Sequence, residues 1–262
     1  MRPTFIDEKT RDYKIDDTYR FIGTDSNQGF RSKLPRAIIN RLLLVESEEI
    51  EFIKIASDLI PSGSVVLDAG AGQSRYKMAF SHTRYIALDK AIGDQAWNYK
   101  GIDINSDLLA LSLKSESVDA IICIQVLEHI SDPFQFANEL HRVLKPGGKL
   151  FLSVPQGYGE HQMPYDYFRY SYYGLVHLFS KNFQVNFIRP MGGYFFFIGS
   201  WLKLAPNVIL SNIHNRLVKR FLGIIFKAVF DYIIPLSCFY LDRLDQGKGI
   251  TIYYGCYFQK SS

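Results

Sequence analysis

The sequence predicts an α/β protein built on a doubly wound, mostly parallel β-sheet. Of its 262 residues, 47% are apolar and 21% are charged, a composition that supports a buried core and argues against disorder. Short apolar segments typical of buried strands alternate five times with amphipathic segments typical of helices. Such alternation favours a parallel sheet whose two faces are covered by helices.

The first strand ends in a glycine-rich turn, VVLDAGAGQSRY at 65–76. Asp68 closes the apolar run, at the carboxyl end of a strand, where open α/β sheets bind ligands. Gly70 and Gly72 lack a Cβ, so they permit a sharp turn and a close approach of the backbone to a ligand. The turn therefore predicts a nucleotide or nucleoside site. Taken singly, a helix N-cap at Asp68 and ordinary turn glycines explain it equally well.

The spacing of this turn distinguishes between ligands. A dinucleotide fingerprint has a third glycine where this chain has Arg75, and Asp68 would repel a pyrophosphate. A phosphate-binding loop has a lysine and a hydroxyl directly after its second glycine, which this sequence does not provide. S-adenosylmethionine carries an ammonium and a sulfonium but no phosphate, so it fits best.

The remaining elements follow in order. Asp89 ends the second strand 21 positions after Asp68, close to the separation of about 20 expected for an acid that binds a ribose. We expect a helix that starts at Ser47 as N-cap, and a third strand that ends just before Asp103. Further segments are predicted as strands at 84–88, 118–124, 149–155, 183–188 and 249–258, and as helices from about 136 to 144 and from 172 to 179, with Ser171 as N-cap and a turn at 145–148.

Four sequence blocks resemble the class I S-adenosylmethionine-dependent methyltransferases, in particular the type 11 methyltransferase domain. The blocks occur in the family's order and separations, and they are VVLDAGAG at 65–72, YIALDK at 85–90, SVDAIICIQVLEHI at 117–130 and HRVLKPGGKLFLSVP at 141–155. The resemblance covers roughly residues 60–190 and the terminal strand. It implies a Rossmann-like sheet of seven strands, methyltransferase activity and S-adenosyl-L-methionine as the cofactor.

The resemblance also assigns cofactor roles to individual residues. It implies that Asp68, Gly70 and Gly72 surround the methionine part and that Asp89 binds the ribose hydroxyls. The relatives often have a third small glycine where this chain has Ser74, a departure that leaves the fold and cofactor expectations intact.

Three further residues are assigned by the resemblance. Asp103 and Ile104 would meet the adenine, and Gln125 would lie near the sulfonium. The GIDINSD stretch around Asp103 is equally typical of a plain Asx-turn.

The segment HQMPYDYFRYS at 161–171 resembles a segment of one subset of these methyltransferases. That subset is often found beside glycan or lipid-linked sugar biosynthesis. A hydroxyl acceptor must lose a proton, and histidine is the commonest base. His161, oriented by Asp166, is one candidate, and His129 is a second. For His129, a capping or packing role competes with catalysis.

The same segment offers candidates for binding the acceptor. Arg169 would clamp a phosphate or carboxylate, or else form a salt bridge with Asp166. Tyr165 and Tyr170 would line a sugar or ring site, although aromatic core packing explains them equally well.

A basic and apolar segment precedes the last strand. Residues 195–240 hold five basic residues and one acid, a net charge of +4, between long apolar runs. Lys227, Asp231 and Pro235 interrupt a transmembrane helix of the required length. We expect contact with a membrane surface, and a helical subdomain packed on itself or on a second subunit is the alternative.

Taken together, these observations predict three regions. Residues 1–35 form a lead-in or lid, 36–194 with 246–262 form the S-adenosylmethionine domain, and 195–245 form a helical insertion. The charged N-terminus and three separate cysteines predict a cytoplasmic protein, peripheral on the membrane. No metal-ligand spacing occurs, and a net charge of +4 does not favour nucleic acid.

We expect an enzyme that O-methylates a saccharide or lipid-linked small molecule. The alternatives are a quinone or small-acid methyltransferase, and a scaffold of the same fold that binds the cofactor without turnover.

Overall fold

The computed structural model describes residues 35–93 and 97–261. Nearly all of the predicted lead-in, 1–34, lies outside these residues. The described chain divides into a first unit of 50–189 and 253–261 and a second unit of 35–49 and 190–252. The segment 36–49 thus groups with the helical insertion, whereas the sequence had assigned it to the sheet domain.

Seven strands form one sheet in the order β3-β2-β1-β4-β5-β7-β6. Strands β1 to β5 pair in parallel, and β7 runs antiparallel to β5. This arrangement confirms the predicted seven-stranded, mostly parallel sheet and brings the carboxyl ends of β1 to β5 to one edge. The strands are β1 Val65–Ala69, β2 Arg84–Asp89, β3 Ile104–Asn105, β4 Val118–Ile124, β5 Leu144–Pro155, β6 Phe183–Met191 and β7 Tyr253–Lys260.

Side-chain N-caps begin the helices at Pro133–Val143 and Tyr172–Phe179. Asp132 accepts the N–H of Gln135 at 3.0 Å, and Ser171, as predicted, accepts the N–H of Gly174 at 3.1 Å. The described helices are α1 Arg36–Leu42, α2 Leu44–Leu59, α3 Pro133–Val143, α4 Tyr172–Phe179, α5 Tyr194–Leu202, α6 Ala205–Ser211, α7 Arg216–Ala228 and α8 Ile234–Leu241, with a π turn at Val229–Ile233 joining the last two.

Several predicted boundaries are wrong. Ser47 lies inside α2, which begins three residues earlier at Leu44, and its hydroxyl donates to the Leu44 carbonyl. Strand β3 begins after Asp103 rather than ending before it. The predicted turn at 145–148 belongs to β5, where Gly147 has φ +72° and the pairing with β4 shifts register.

The connection between β1 and β2 also departs from regular strand and helix alternation. It contains a 3₁₀ turn, Lys77–Phe80, in place of an α-helix. Ser74 has φ +55°, a left-handed conformation that a continuing helix does not accommodate. The last strand likewise starts at Tyr253, later than the predicted 249.

The core of the first unit crosses the middle of the sheet. Leu67, Ile121 and Leu150 are direct neighbours on β1, β4 and β5, and each is 0% exposed. Burial of each such side chain contributes about 1.5–3 kcal/mol. This row fixes the strand register and therefore the positions of the residues that follow each strand.

The second unit is helical, and two acidic residues near the end of α8 cap the start of α5. The buried carboxylate of Asp242 accepts the N–H groups of Gly193 and Phe196 at 3.0 and 3.1 Å, and Asp245 accepts that of Tyr194 at 2.7 Å. Two helical stretches, Tyr194–Ser211 and Arg216–Leu244, are long and apolar enough to cross a membrane, and 11% of the apolar window of each is buried.

Candidate active site

Three acidic residues stand at the carboxyl ends of the first three strands. Asp68 lies in β1, Asp89 ends β2, and Asp107 follows β3 by two residues. The Ser106 N–H donates to the Asp89 carbonyl at 3.2 Å, which keeps the chain after β3 beside the end of β2. This edge therefore presents carboxylates, and they suit cationic and hydroxyl groups rather than phosphate.

Asp68 is the most deeply buried of the three acids. It is 1% exposed, and the Tyr85 hydroxyl on the neighbouring strand donates to it. The pKa of Asp68 is raised to about 7, mainly by burial and also by the nearby Asp89, although the hydrogen bond from Tyr85 lowers it. Because the pKa of this carboxyl lies near neutral pH, a cationic ligand would stabilise its charged form.

The glycine turn is tied to the end of β2. The N–H of Gly72 donates to Asp89 Oδ2 at 2.8 Å, and the N–H of Ala91 donates to Oδ1 at 2.6 Å. Each carboxylate oxygen keeps a second lone pair. Gly70 has φ +85°, and a Cβ on it would lie 2.5 Å from Val126 Cγ2. No larger residue fits this turn without displacing Val126.

The structure places Asp103 just before β3, beside Ala87 of β2. Asp103 precedes β3, where its Oδ2 accepts the Ala87 N–H at 2.8 Å and its N–H donates to the Ala87 carbonyl at 2.9 Å. Ile104 pairs with Leu88, one residue before the end of β2, and the adenine assignments of Asp103 and Ile104 stay predictions.

Asp107, two residues beyond β3, is a further acid at this edge. Its Oδ2 accepts from Lys90 Nζ at 2.7 Å, and its Oδ1 accepts the Leu109 N–H at 2.9 Å. The hydrogen bond from Lys90 lowers the pKa of Asp107. The sequence reasoning missed this residue because a two-residue strand leaves no periodic signal from which its end can be read.

Gln125 follows β4 directly, at the same edge. Its φ is +57°, its N–H donates to the Ser153 carbonyl at 3.0 Å, and its Nε2 donates to Ser153 Oγ at 3.0 Å. These bonds hold its side chain against β5. Gln125 thus shares the edge with the acids, and its assignment near the sulfonium stays a prediction.

The two candidate histidines meet above a buried acid. The rings of His129 and His161 are edge to face, with centroids 4.7 Å apart. Their Nε2 atoms lie 3.9 and 3.8 Å from Oε1 of Glu128, which is 0% exposed. Glu128 was not singled out from the sequence, although an acid inside the apolar run Val126-Leu127-Glu128-His129-Ile130 was an available signal.

The partners of each ring define its free nitrogen. Nδ1 of His129 is 2.7 Å from the Tyr165 carbonyl, and Nδ1 of His161 is 3.1 Å from the Gly159 carbonyl. A carbonyl oxygen can only accept a hydrogen bond. In both neutral rings Nδ1 therefore carries the hydrogen and Nε2 keeps the lone pair. Burial lowers the pKa of His129, which favours its neutral form.

These three side chains could also ligate a cation. Their donor atoms all lie within 4.8 Å of one another, and histidine with carboxylate is a common zinc ligand set. The expectation that the protein uses no metal stays a prediction.

Arg169 is saturated by its own loop. Its five N–H groups donate to both oxygens of Asp166, at 2.6 and 2.8 Å, and at 2.8 Å to the carbonyls of Tyr158, Gly159 and Phe168. A guanidinium has five donors, so none is left to clamp an acceptor. The structure shows the alternative interpretation, a salt bridge with Asp166.

Asp166 consequently serves the loop as well as His161. Arg169 holds the pKa of Asp166 well below its usual range, and the Asp166 carboxylate also accepts the His161 N–H at 2.8 Å. Its Oδ2 is 3.4 Å from His161 Nδ1. Asp166 therefore positions the backbone and ring of His161 without reaching the reacting edge itself.

The two tyrosines that were expected to bind the methyl acceptor have different environments. Tyr170 is 8% exposed, and its hydroxyl donates to the Leu127 carbonyl at 3.2 Å, so it packs in the core as the competing interpretation held. Tyr165 is 42% exposed, together with Tyr158, Tyr167 and Phe168. These four form the accessible aromatic surface of the loop.

This loop reaches the edge that carries the acids. An added Cβ on Gly93, after β2, would lie 2.9 Å from the Tyr99 hydroxyl and 3.2 Å from Gln162 Oε1. The pKa of Lys90 is raised mainly by Asp107 and also by Tyr165 and Tyr167. The histidine loop and the acidic edge are therefore neighbours in one unit.

The part of the chain that carries these acids also matches a known protein family. The model of a family described as "Methyltransferase domain" matches residues 67–152, the stretch that contains Asp68, Asp89, Asp107 and Gln125. This region belongs to the methyltransferase domain family. The wider methyltransferase-like sheet, from β1 to β7, is the scaffold on which the histidine loop is mounted.

Two curated relatives support the family at moderate identity. The methyltransferase region is 32% identical over 114 residues to an uncharacterized methyltransferase of Mycobacterium leprae, covering 39% of this chain and 42% of that protein. It is 36% identical over 100 residues to a Mycolicibacterium smegmatis protein named "Probable S-adenosylmethionine-dependent methyltransferase", covering 36% and 39%. The chain therefore spans less than half the length of these relatives.

Solved structures extend the likeness to the whole sheet. The crystal structure of the [4+2]-cyclase SpnF superposes with a TM-score of 0.52 at 14% identity, covering 82% of each chain. At this identity the likeness shows the class I methyltransferase fold alone.

Proposed function

We propose that the protein is an S-adenosylmethionine-dependent methyltransferase that methylates a hydroxyl on a saccharide or lipid-linked intermediate. The observation that carries the proposal is the position of two sets of residues on one edge of the sheet. The acids Asp68, Asp89 and Asp107 lie at the strand ends, and the cluster of Glu128, His129 and His161 lies beside them.

The acidic set fits the chemistry of this cofactor. The buried Asp68, with a pKa raised to about 7, would accept the ammonium of the methionine part. Asp89, fixed by the N–H groups of Gly72 and Ala91, would accept the ribose hydroxyls with its remaining lone pairs. Asp107 would accept from the adenine amino group. When bound, S-adenosylmethionine supplies an electrophilic methyl group on a sulfonium.

The histidine set fits removal of a proton from the acceptor. His161 is the better base, because its side chain is 26% exposed while that of His129 is 13% exposed. Its Nε2 keeps the lone pair, and the buried Glu128 carboxylate nearby would stabilise the imidazolium that forms. His129 packs edge to face against His161 and orients it, while Asp166 holds the backbone of the loop.

The exposed aromatic side chains support a ring-bearing acceptor. Tyr165 and Tyr167 are 42 and 45% exposed and lie near Lys90 at the cofactor edge. Aromatic faces pack against the apolar face of a sugar ring while their hydroxyls bond to its polar groups. Because Arg169 has no free donor, recognition of a phosphate by that residue is no longer part of the proposal.

The test is transfer of labelled methyl from S-adenosylmethionine into a membrane extract. We expect label in saccharide or lipid-linked material, and we expect His161→Gln to lower the rate of incorporation by about 10²- to 10⁴-fold while S-adenosylhomocysteine still binds. Label confined to protein or nucleic acid would reject the acceptor class. Label in quinones or small acids would instead support the alternative of a quinone or small-acid methyltransferase.

A protein of this fold that binds cofactor without turnover is the competing function. The basis for this alternative is that one fold hosts unrelated functions. If no extract takes up label while wild-type protein binds S-adenosylhomocysteine, the result supports the non-catalytic alternative and contradicts the methyltransferase proposal.

A further inference from the structure

One helix of the second unit leaves a row of large apolar side chains in solvent. On α7, Leu217, Phe221 and Ile224 are 81, 66 and 67% exposed. They follow one another at spacings of four and three residues and therefore lie along one face of the helix. Single exposed apolar residues are common, but a continuous row of them marks an interaction surface.

Large apolar side chains are also exposed on neighbouring elements of the same unit. Helix α6 packs against α7 and exposes Val208 at 66%, after Leu204 at 52%. Beyond the end of α7, Ile233 is 58% exposed. We call these residues, from Leu204 to Ile233, the apolar surface. The unit therefore exposes several large apolar side chains rather than one misplaced side chain.

Basic side chains flank the apolar surface. Arg216, Lys219, Arg220 and Lys227 are all exposed on α7, and residues 216, 220 and 227 share one face because their spacings are four and seven. In the whole of 195–240 the one acid is Asp231. The helix therefore has an apolar face beside a basic one.

We propose that this surface binds an anionic lipid bilayer, with α7 lying in the plane of the interface. The apolar row would enter the boundary between headgroups and acyl chains, and the long basic side chains would reach back to the anionic headgroups. This inference does not depend on the methyl transfer reaction, because it uses only residues of the second unit.

Charge selects lipid over a second copy of this chain. A symmetric pair would place two segments of net charge +4 together, and like charges at close range repel. An anionic bilayer instead complements the basic face. A spanning arrangement would carry Lys227 and Asp231 into the hydrocarbon, where charged side chains are costly, although Arg216–Leu244 is long enough.

The test is flotation of the full chain with vesicles. Phosphatidylcholine vesicles with and without phosphatidylglycerol, at low and high salt, separate electrostatic from apolar binding. We expect binding to the anionic vesicles that weakens as salt rises, and little binding to phosphatidylcholine alone. Far-ultraviolet circular dichroism and thermal unfolding check that each variant is folded.

Two variants test the two faces separately. Reversal of Arg216, Lys219 and Arg220 to glutamate removes three headgroup contacts and is expected to weaken binding by at least about 100-fold, from about fivefold per charge. Leu217→Asp with Phe221→Asp is expected to abolish binding. Matched controls alter exposed residues of the first unit: Arg84, Lys114 and Lys181 to glutamate, and Phe134 with Tyr173 to aspartate.

The outcomes are distinct. Loss of binding in both α7 variants and in neither control supports the inference. Equal binding by wild-type protein and α7 variants overturns it. So does resistance of the bound protein to alkaline carbonate, which indicates a spanning helix, or a lipid-free dimer that Leu217→Asp dissociates, which indicates a second copy.

Discussion

The hydroxyl of Tyr85 donates a hydrogen bond to the carboxylate of Asp68 across the paired strands β2 and β1. Asp68 is buried, and its pKa is raised to about 7 although this hydrogen bond lowers it. The strand pair therefore holds a carboxyl that a cationic ligand can ionise at neutral pH.

Cofactor affinity should consequently depend on pH. Because the ammonium of S-adenosylmethionine favours the ionised carboxylate, we expect affinity to rise about tenfold from pH 6 to pH 8. Isothermal calorimetry at several pH values measures this. Asp68→Asn should weaken binding and leave only the titration of the ligand itself, and a wild-type profile matching that of the variant would contradict the assignment.

Tyr85→Phe makes a related prediction about the midpoint. Loss of a hydrogen bond that stabilises the carboxylate should raise the pKa of Asp68 further, so the rise in affinity should move to higher pH. An unchanged midpoint would show that the Tyr85 hydroxyl does not control this carboxyl.

The same pKa affects stability without ligand. The folded state binds the Asp68 proton more tightly than the unfolded state, whose pKa is near 3.8. The resulting stability is present below about pH 4 and is lost as pH rises through about 7, in total about 4 kcal/mol. Urea unfolding of wild type and Asp68→Asn at pH 5 and pH 8 should show the variant gaining relative stability at the higher pH.

Asp89 and Asp103 provide a matched pair of substitutions. Asp89→Asn removes the charged acceptor at the ligand edge and should weaken S-adenosylhomocysteine binding by about 10- to 100-fold. Asp103→Asn alters only the link to Ala87, so it should lower the melting temperature and change affinity by less than about twofold. The reverse pattern would support the adenine assignment of Asp103.

Chelation and substitution distinguish a base from a metal ligand. If His161 acts as a base, treatment with EDTA should leave methyl transfer unchanged, and His161→Gln should lower the rate by about 10²- to 10⁴-fold. A loss of activity on chelation that zinc restores would show that Glu128, His129 and His161 hold a metal instead.

The sequence predicted best what is local to a strand. Asp68 and Asp89 could be placed because each directly ends a clear apolar run, and the sheet then brings them to one edge. Asp107 could not, because β3 has two residues and its end carries no pattern. The partners of Arg169 were equally hidden, since three of them are backbone carbonyls that only the folded loop brings together.

The helical unit shows the same limit. Its basic and apolar composition was plain from the sequence, but which of its apolar side chains stay exposed, Leu217 and Phe221 among them, depends on tertiary packing. That the segment 36–49 groups with the insertion is a long-range packing effect, which no local pattern reveals.

The most direct test of the cofactor edge is calorimetric titration of the full chain with S-adenosylmethionine and S-adenosylhomocysteine, with Asp89→Ala as the control. We predict that both ligands bind to wild-type protein and that the variant, folded by circular dichroism, binds each more weakly. Absence of binding by well-folded wild-type protein, or equal binding by the variant, would contradict the account.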